Sequence, residues 1–168
     1  MRWTTPGCAF ARTPATTTVG DITVPATPPE LDAAMAAIDE AGRESFPDSY
    51  AGLEVDQEQV RAIVHRVPSD AFDDVLRQAG AAVCVEVRDA AHSLRELTGW
   101  HDRVVADLDS WSAAGVRIVT VGARHDGAGV EVGVRDAARA RDRLFSRYGE
   151  SAPLIIVDQD PVIPIPDR

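Results

Sequence analysis

Lysine is absent from this chain of 168 residues, and all seventeen of its basic residues are arginine. A Schiff-base catalyst needs a lysine amine, and the common phosphate-binding loop carries a lysine, so both are excluded. Acidic residues outnumber basic residues by 27 to 17, which gives a formal net charge of -10. This acidic balance argues against a protein that binds nucleic acid or an anionic membrane surface.

Aromatic residues and long apolar runs are also scarce. Aromatic side chains make up only 5% of the chain, which disfavours the stacking platforms that bind single-stranded bases. No run of about 18 apolar residues occurs, so we expect no transmembrane helix. We also expect no signal peptide, because the residues before Cys8 contain no apolar run. The hydrophobic fraction of 45% is nevertheless enough for a globular protein to bury a core without help from a metal.

The chain has two cysteines, Cys8 and Cys84. Two is too few for a disulfide framework or for a zinc site made of cysteines alone. Cys84 lies in the strand-like run Ala82–Val87, where we expect a small buried apolar side chain, and Cys8 lies in a polar stretch. A disulfide between them is the alternative, and the sequence leaves their redox state open.

Residues 1–28 are rich in Thr, Pro and Ala. A segment of this composition buries little apolar surface, so it predicts a disordered tether. Secreted lipoproteins often carry such a linker after a lipidated cysteine, but Pro6-Gly7-Cys8 lacks the apolar run of a lipobox. Two interpretations stay open, a lipoprotein whose recorded start is truncated and an ordinary disordered tail. At the other terminus, three prolines predict an extended tail over residues 161–168.

Helical and strand-like patterns alternate between these ends. Apolar residues at helical spacing predict a helix over residues 29–45. Residues 46–91 and residues 115–160 each contain two alternating strand-like runs, a short helical pattern and a third strand-like run. Residues 92–114 predict a long helix that links the two stretches.

These two stretches match each other as an internal repeat, in which Val60 corresponds to Val130 at an offset of about 70 residues. One hairpin can hardly bury the inner face of its helix alone. The pattern therefore predicts an α+β fold of two β-hairpin–α–β units joined by the long helix, with the helices packed on antiparallel or mixed sheets. The spacing of the linking helix places Leu108 and Trp111 in the core.

Several short segments spread over roughly residues 46–160 carry a resemblance to a known family. These segments are Tyr50–Asp56, His92–Leu97, Gly129–Val134 and Arg147–Gly149. The chain resembles the pro-domain of streptogrisin-type and α-lytic-type serine proteases, and related stand-alone proteins of actinobacteria. The resemblance implies the same fold, an extracytoplasmic location and a protein partner, with a serine protease as the candidate.

The four histidines are the first candidates for acid–base chemistry. His101 lies next to Asp102, which would allow a carboxylate to orient it as a base, but its spacing favours packing on the apolar face of the linking helix. His65 and His125 are expected to be exposed, and His92 to lie in the turn before that helix. No His-x-x-x-His or Cys-x-x-Cys spacing indicates a metal site, and no Gly-x-Ser-x-Gly motif indicates a serine nucleophile. We therefore expect no catalytic residue, cofactor or metal.

The leading hypothesis is a non-catalytic, secreted or cell-surface-associated domain that binds another protein, as an inhibitor or in a chaperone-like role. The expected contacts lie on the last helix and in the tail: Arg139, Arg143, Arg147, Val162, Ile163 and Ile165. The extended tail is suited to enter a protease cleft. The alternatives are a small hydrolase or other enzyme that uses His101 with a nearby carboxylate, and a cytoplasmic location. Nucleic acid is not expected as a partner, and the oligomeric state stays open.

Overall fold

The computed structural model of the chain describes residues 1–10 and 12–160. These residues form five α-helices and three β-sheets, and the fold is α+β. The chain divides into two compact units. The first consists of Met1–Arg95 with His125–Gly127, and the second of Glu96–Arg124 with the chain from Ala128 onward.

The first unit contains a four-stranded sheet, a two-stranded hairpin and two α-helices. Its elements are β1 (Arg2–Thr4), a short 3₁₀ helix (Pro6–Ala9), β2 (Ala15–Val19), β3 (Ile22–Ala26), α1 (Pro29–Glu44), β4 (Tyr50–Asp56), β5 (Arg61–Arg66), α2 (Asp70–Ala79) and β6 (Cys84–Asp89). The strand order of the larger sheet is β1-β6-β5-β4. β5 and β6 are parallel and the other neighbours antiparallel, so this sheet is mixed.

The local sequence explains where α2 begins and ends. The side chain of Ser69 accepts a hydrogen bond from the backbone N–H of Phe72 and so caps the helix. Gly80 follows its last turn. Phe72 and Leu76 lie one turn apart on the buried face, in the core of the first unit.

The prediction of a disordered tether over residues 1–28 is wrong for the described residues of this range, 1–10 and 12–28. β1 pairs antiparallel with β6, and the backbone N–H of Gly7 donates to the carbonyl of Gly80 at 3.1 Å. A Cβ atom on Gly7 would stand 2.1 Å from the carbonyl oxygen of Val83, so only glycine fits this close approach. The composition is misleading because backbone pairing and a cross-link hold this segment, and neither needs apolar surface of the segment's own.

The cross-link is a disulfide between Cys8 and Cys84, which lie 76 residues apart in the sequence. Cys84 is the first residue of β6, so the bond ties the 3₁₀ helix to the four-stranded sheet. Cys84 is buried as expected, but it is not a lone thiol, and neither cysteine is free.

The second unit contains a three-stranded sheet and three helices, the first of which begins at the boundary between the units. Its elements are α3 (Leu94–Ala106), α4 (Leu108–Ala113), β7 (Ile118–Ala123), β8 (Val130–Val134), α5 (Ala137–Tyr148) and β9 (Leu154–Asp158). The strand order is β7-β8-β9, with β7 antiparallel and β9 parallel to β8.

The predicted linking helix is two helices, because the chain turns at Asp107. The carboxylate of Asp107 accepts hydrogen bonds from Arg147 at 2.7 and 2.9 Å and from the hydroxyl of Tyr148 at 2.9 Å. Trp111 is buried as predicted, but Leu108 is 36% exposed, so its prediction as a core residue is wrong. The spacing of apolar residues in one helix does not predict which residues are buried in the next helix after a turn.

The two units repeat the same chain path. In each, an antiparallel hairpin is followed by a helix and by a strand parallel to the second hairpin strand. A break in register occurs near the start of each hairpin, and aligning the breaks matches Arg66 with Val134. This offset of 68, from 66 to 134, replaces the predicted match of Val60 with Val130. A shift of two residues keeps every side chain on the same face of its strand, which is why the sequence shows the repeat.

Each unit has its own hydrophobic core. In the first unit the core contains Leu31, Ile38, Tyr50, Ala62, Val64, Phe72, Leu76, Val85 and Val87. In the second unit it contains Leu97, Val104, Trp111, Val130, Val132, Leu144, Tyr148 and Leu154. Within residues 1–10 and 12–160, none of the helices combines the length and the apolar character that crossing a membrane requires.

Candidate functional site

The hairpin of β2 and β3 is the first candidate for a binding surface, because it pairs with no other described strand. Val19 and Ile22 flank its two-residue turn, in which Gly20 has a φ of +61°, as in a type II′ turn. Such a turn is closed by a hydrogen-bonded pair, and bonded pairs alternate with non-bonded pairs along the ladder. Thr16 and Thr18 on β2 therefore direct their backbone N–H and C=O groups away from β3.

The two edges of this hairpin differ. The outward-facing residues of β3 are Thr23 and Pro25, and proline has no N–H to donate, so that edge is blocked. The outward-facing residues of β2 are both threonines, and the strand carries no charge. Beside it, the side chains of Val19, Ile22 and Val24 are 70%, 67% and 38% exposed. We call this open, uncharged edge, formed by Ala15–Val19, the β2 edge.

A cleft of about 190 Å³ in the second unit is the second candidate. It lies where the chain before β7, the end of β8 and the first turn of α5 meet, and Arg117, Arg135 and Arg139 line it. The backbone N–H of Arg135 donates to the carbonyl of Arg117 at 3.3 Å, so these two residues are cross-strand neighbours. We call this place the arginine cleft.

The guanidinium groups of the arginine cleft have no ion-pair or hydrogen-bond partner in the part of the chain that the structure describes. The other described arginines contact a carboxylate, a carbonyl or an aromatic ring: Arg2, Arg12, Arg43, Arg61, Arg66, Arg77, Arg88, Arg95, Arg103, Arg124, Arg141, Arg143 and Arg147. Asp136 also lines the cleft, and its carboxylate accepts from the backbone N–H of Arg139 at 3.0 Å. The cleft thus holds three unpaired positive charges beside one negative charge.

On the sheet of the first unit, by contrast, arginines bind a buried carboxylate. Glu86 on β6 is fully buried and accepts from Arg2 at 2.7 Å, from Arg61 at 2.6 Å and from Arg88 at 2.6 Å. Burial alone would raise the pKa of Glu86, but the hydrogen bonds from Arg88 and Arg2 and the charge of Arg61 outweigh burial and hold this pKa below its usual value. These arginines are therefore engaged in holding the sheet together.

Two histidines meet one carboxylate in the first unit. Glu54 on β4 contacts Nε2 of His65 at 3.2 Å through one oxygen and Nε2 of His125 at 3.3 Å through the other. The hydrogen bond with His65 is the main reason why the pKa of Glu54 lies below its usual value. His65 is buried rather than exposed as predicted, because Glu54 and His125 lie over its face of the strand, whereas His125 is exposed as predicted. The alternative enzyme hypothesis expects a histidine paired with a carboxylate at His101, and such a pairing is formed here as well.

His101 contacts the residue that follows it, because the carboxylate of Asp102 lies 2.9 Å from Nδ1 of His101. The side chain of His101 is 35% exposed, so it is partly buried and bonded to its neighbour in the sequence. Among the described residues, no three histidine, cysteine or acidic side chains gather in a way that would hold a metal ion.

The predicted protein-contact residues separate from one another. Arg143 donates to the carbonyl of Ala114 at 2.7 Å, and Arg147 is paired with a carboxylate of the turn at Asp107. Of the three predicted arginines, Arg139 lines the arginine cleft. The apolar tail residues lie outside the described residues: Val162, Ile163 and Ile165.

The sequence did not single out Arg117 and Arg135, because they are distant in the sequence, one just before β7 and the other just after β8. Their proximity comes from the antiparallel pairing of β7 and β8. A signal was present, since Asp126 and Gly127 form a dipeptide that is typical of hairpin turns, and Asp126 lies midway between the two arginines in the sequence. Residues equally far from a hairpin turn face each other across the ladder.

The chain was compared with models of protein families, with curated proteins and with solved structures, and none of them matches it. The resemblance to serine-protease pro-domains therefore stays a prediction.

Proposed function

We propose that this chain is a non-catalytic protein-binding domain that takes an extended segment of its partner as an additional strand beside β2. The observation that carries the proposal is the β2 edge, where Thr16 and Thr18 present outward-facing backbone groups on a strand without charge. Edges of this kind are the sites at which sheets accept an extra strand.

Strand addition is favourable here for a physical reason. An isolated two-stranded hairpin is only marginally stable in water, and a third strand increases its stability. Val19, Ile22 and Val24 lie on one face, because Val19 pairs with Ile22 and Thr17 with Val24. A partner strand that covers this exposed face would gain about 25 cal/mol for each Å² of apolar surface removed from water. Main-chain hydrogen bonds would provide affinity, and the apolar face would select β-branched or aromatic side chains in the partner.

We also propose that the protein works outside the cytoplasm. The disulfide between Cys8 and Cys84 supports this location, because disulfides form and persist in oxidising compartments and are rare in the cytosol. The same location is implied by the resemblance to secreted protease pro-domains.

A secreted bacterial serine protease is the first partner to test, because that resemblance implies one. The test measures association and protease inhibition for the full chain and for two matched variants, Thr18→Pro and Thr23→Pro. Both variants remove one outward-facing N–H and the same contact of 3.3 Å between the two hydroxyl groups, but on opposite edges of the hairpin. We expect Thr18→Pro to weaken association by about tenfold or more, since it blocks the β2 edge, and Thr23→Pro to change it by less than about threefold.

Equal losses in the two variants would contradict strand addition at β2 while leaving a protease as partner. An absence of association across several such proteases would reject this class of partner.

A further inference from the structure

Among the described residues, none pairs with the guanidinium groups of the arginine cleft. In a chain of net charge -10, unpaired arginines are unexpected, yet the three that are unpaired among the described residues all line one cleft. Like charges that line one cleft repel each other, and an anion bound in the cleft would reduce that repulsion. The arrangement therefore points to a ligand of negative charge.

The size of the cleft limits what the ligand is. Its volume of about 190 Å³ lies below the range of roughly 300–1,000 Å³ that is typical of pockets for drug-sized molecules. The cleft is therefore suited to a single anionic group rather than to a whole nucleotide or cofactor.

The charge of the cleft favours a dianion over a carboxylate. Arg117, Arg135 and Arg139 contribute three positive charges and Asp136 one negative charge, so the cleft carries a net charge of about two. A phosphate group carries between 1.5 and 2 negative charges near neutral pH, roughly the opposite of this value, and offers several acceptor oxygens. A carboxylate carries one charge and two oxygens, which is too little for three guanidinium groups.

The arginine side chains, and not the start of α5, must hold the ligand. The backbone N–H of Ala137 already donates to Asp158 at 2.7 Å, and that of Arg139 donates to Asp136. These carboxylates occupy the positions that an anion would take at a bare helix N-terminus.

We infer that the arginine cleft binds a phosphate group, either as the free ion or as a phosphate monoester on a small molecule. This inference does not rest on the proposed strand addition, since it depends on other residues in the other unit.

Isothermal titration calorimetry of the full chain tests the inference at pH 7.5 and constant ionic strength. The probes are inorganic phosphate, phenyl phosphate and acetate. We expect phosphate to bind at least about tenfold more tightly than acetate, because it forms additional charge-assisted hydrogen bonds. Binding of phenyl phosphate as well would indicate a site open to phosphate on a larger molecule, and binding of inorganic phosphate alone would indicate a site for the free ion. Equal affinity for acetate, or no binding of either phosphate, would overturn the inference.

Variants identify the site. Arg135→Gln and Arg139→Gln should each weaken phosphate binding by about tenfold, because each removes charge-assisted hydrogen bonds. The matched control is Arg141→Gln, which removes the same charge from the same helix as Arg139 but lies outside the cleft, over the ring of Phe145. Each variant is first checked for a midpoint of thermal unfolding equal to that of the wild type. If Arg135→Gln or Arg139→Gln changes this midpoint, Arg117→Gln is used in its place. Weakening by Arg141→Gln equal to that of the cleft variants would contradict a localised site.

Discussion

In the first unit the arginines of the four-stranded sheet bind carboxylates within the fold, whereas in the second unit the three arginines of the arginine cleft have no partner among the described residues. Arg61 and Arg88 hold the buried Glu86, while the guanidinium groups of the arginine cleft meet no described partner. The chain path is the same in both units. The repeat thus preserves the topology, while the second unit has, besides paired arginines such as Arg147, a cleft lined by arginines without a described partner.

The matched position of Arg66 and Val134 shows how the units differ in detail. Arg66 is buried and donates to Asp73 at 2.7 and 3.1 Å and to Asp89. In the second unit Val134 packs in the core, and Asp158, which matches Asp89, instead accepts a hydrogen bond from the first N–H of α5. A buried ion cluster and an apolar residue with a helix cap are therefore two solutions at one place in the fold.

The largest expected effect comes from removing the cross-link of the first unit. In the double variant Cys8→Ser and Cys84→Ser, the unfolded chain regains the freedom of a loop of 76 residues, so we expect a loss of about 4 kcal/mol in the free energy of unfolding. Denaturant titration measures the loss, and native-state hydrogen exchange locates it. Amides of β6 should lose protection and those of β8 should keep it, and equal losses in both strands would contradict the assignment of the bond to one unit.

The next effect comes from the buried carboxylate. Glu86→Gln removes the negative charge that three arginines share, and we expect it to lower the free energy of unfolding by about 2 kcal/mol, because the hydrogen bonds from charged donors to this buried carboxylate are weakened. The control in the second unit is Glu131→Gln, whose partner Arg124 lies 3.5 Å away at the surface. A pair of this kind contributes less than about 1 kcal/mol, so similar losses in the two variants would remove the distinction between the units.

Glu86 also predicts a dependence of stability on pH. Its pKa in the folded protein lies below the ordinary value of 4.5, so its contribution is complete above that value and is lost as the pH falls through the folded pKa. The difference between the wild type and Glu86→Gln should therefore shrink when denaturant titrations are repeated from pH 7 down to pH 3. A difference that stays constant over this range would show that the carboxylate charge is not the cause.

The smallest expected effect concerns the helix cap of the second unit. Asp158→Ala leaves the first N–H of α5 without its acceptor and should lower the free energy of unfolding by about 1 kcal/mol. Asp160→Ala, two residues further along the chain, removes an equal charge and serves as the control. If Asp158→Ala lowered the free energy of unfolding by much more than about 1 kcal/mol, Asp158 would be more than a helix cap, and the contrast with the ion cluster around Asp89 would be lost.

Much of the architecture follows from the sequence, because it is encoded in short-range patterns. The alternation of Val83, Val85 and Val87 and the position of Ser69 before an apolar helix depend on residues a few places apart. The same is true of each hairpin–helix–strand unit, and the α+β class follows from them. The helical pattern gave a wrong prediction for Leu108, because α3 ends before Asp107 and a new helix, α4, begins at Leu108.

The candidate sites, by contrast, depend on residues that are distant in the sequence. Local pattern determined the class of the fold and its two hairpin–helix–strand units by itself, since burial of apolar faces is periodic along the chain. The tertiary structure alone decided that Cys8 meets Cys84, that Glu54 lies between two histidines and that unpaired arginines gather in one cleft. The physical reason is that charge pairing and cross-linking act between side chains brought together by strand register and chain crossing, which leave no periodic trace in the sequence.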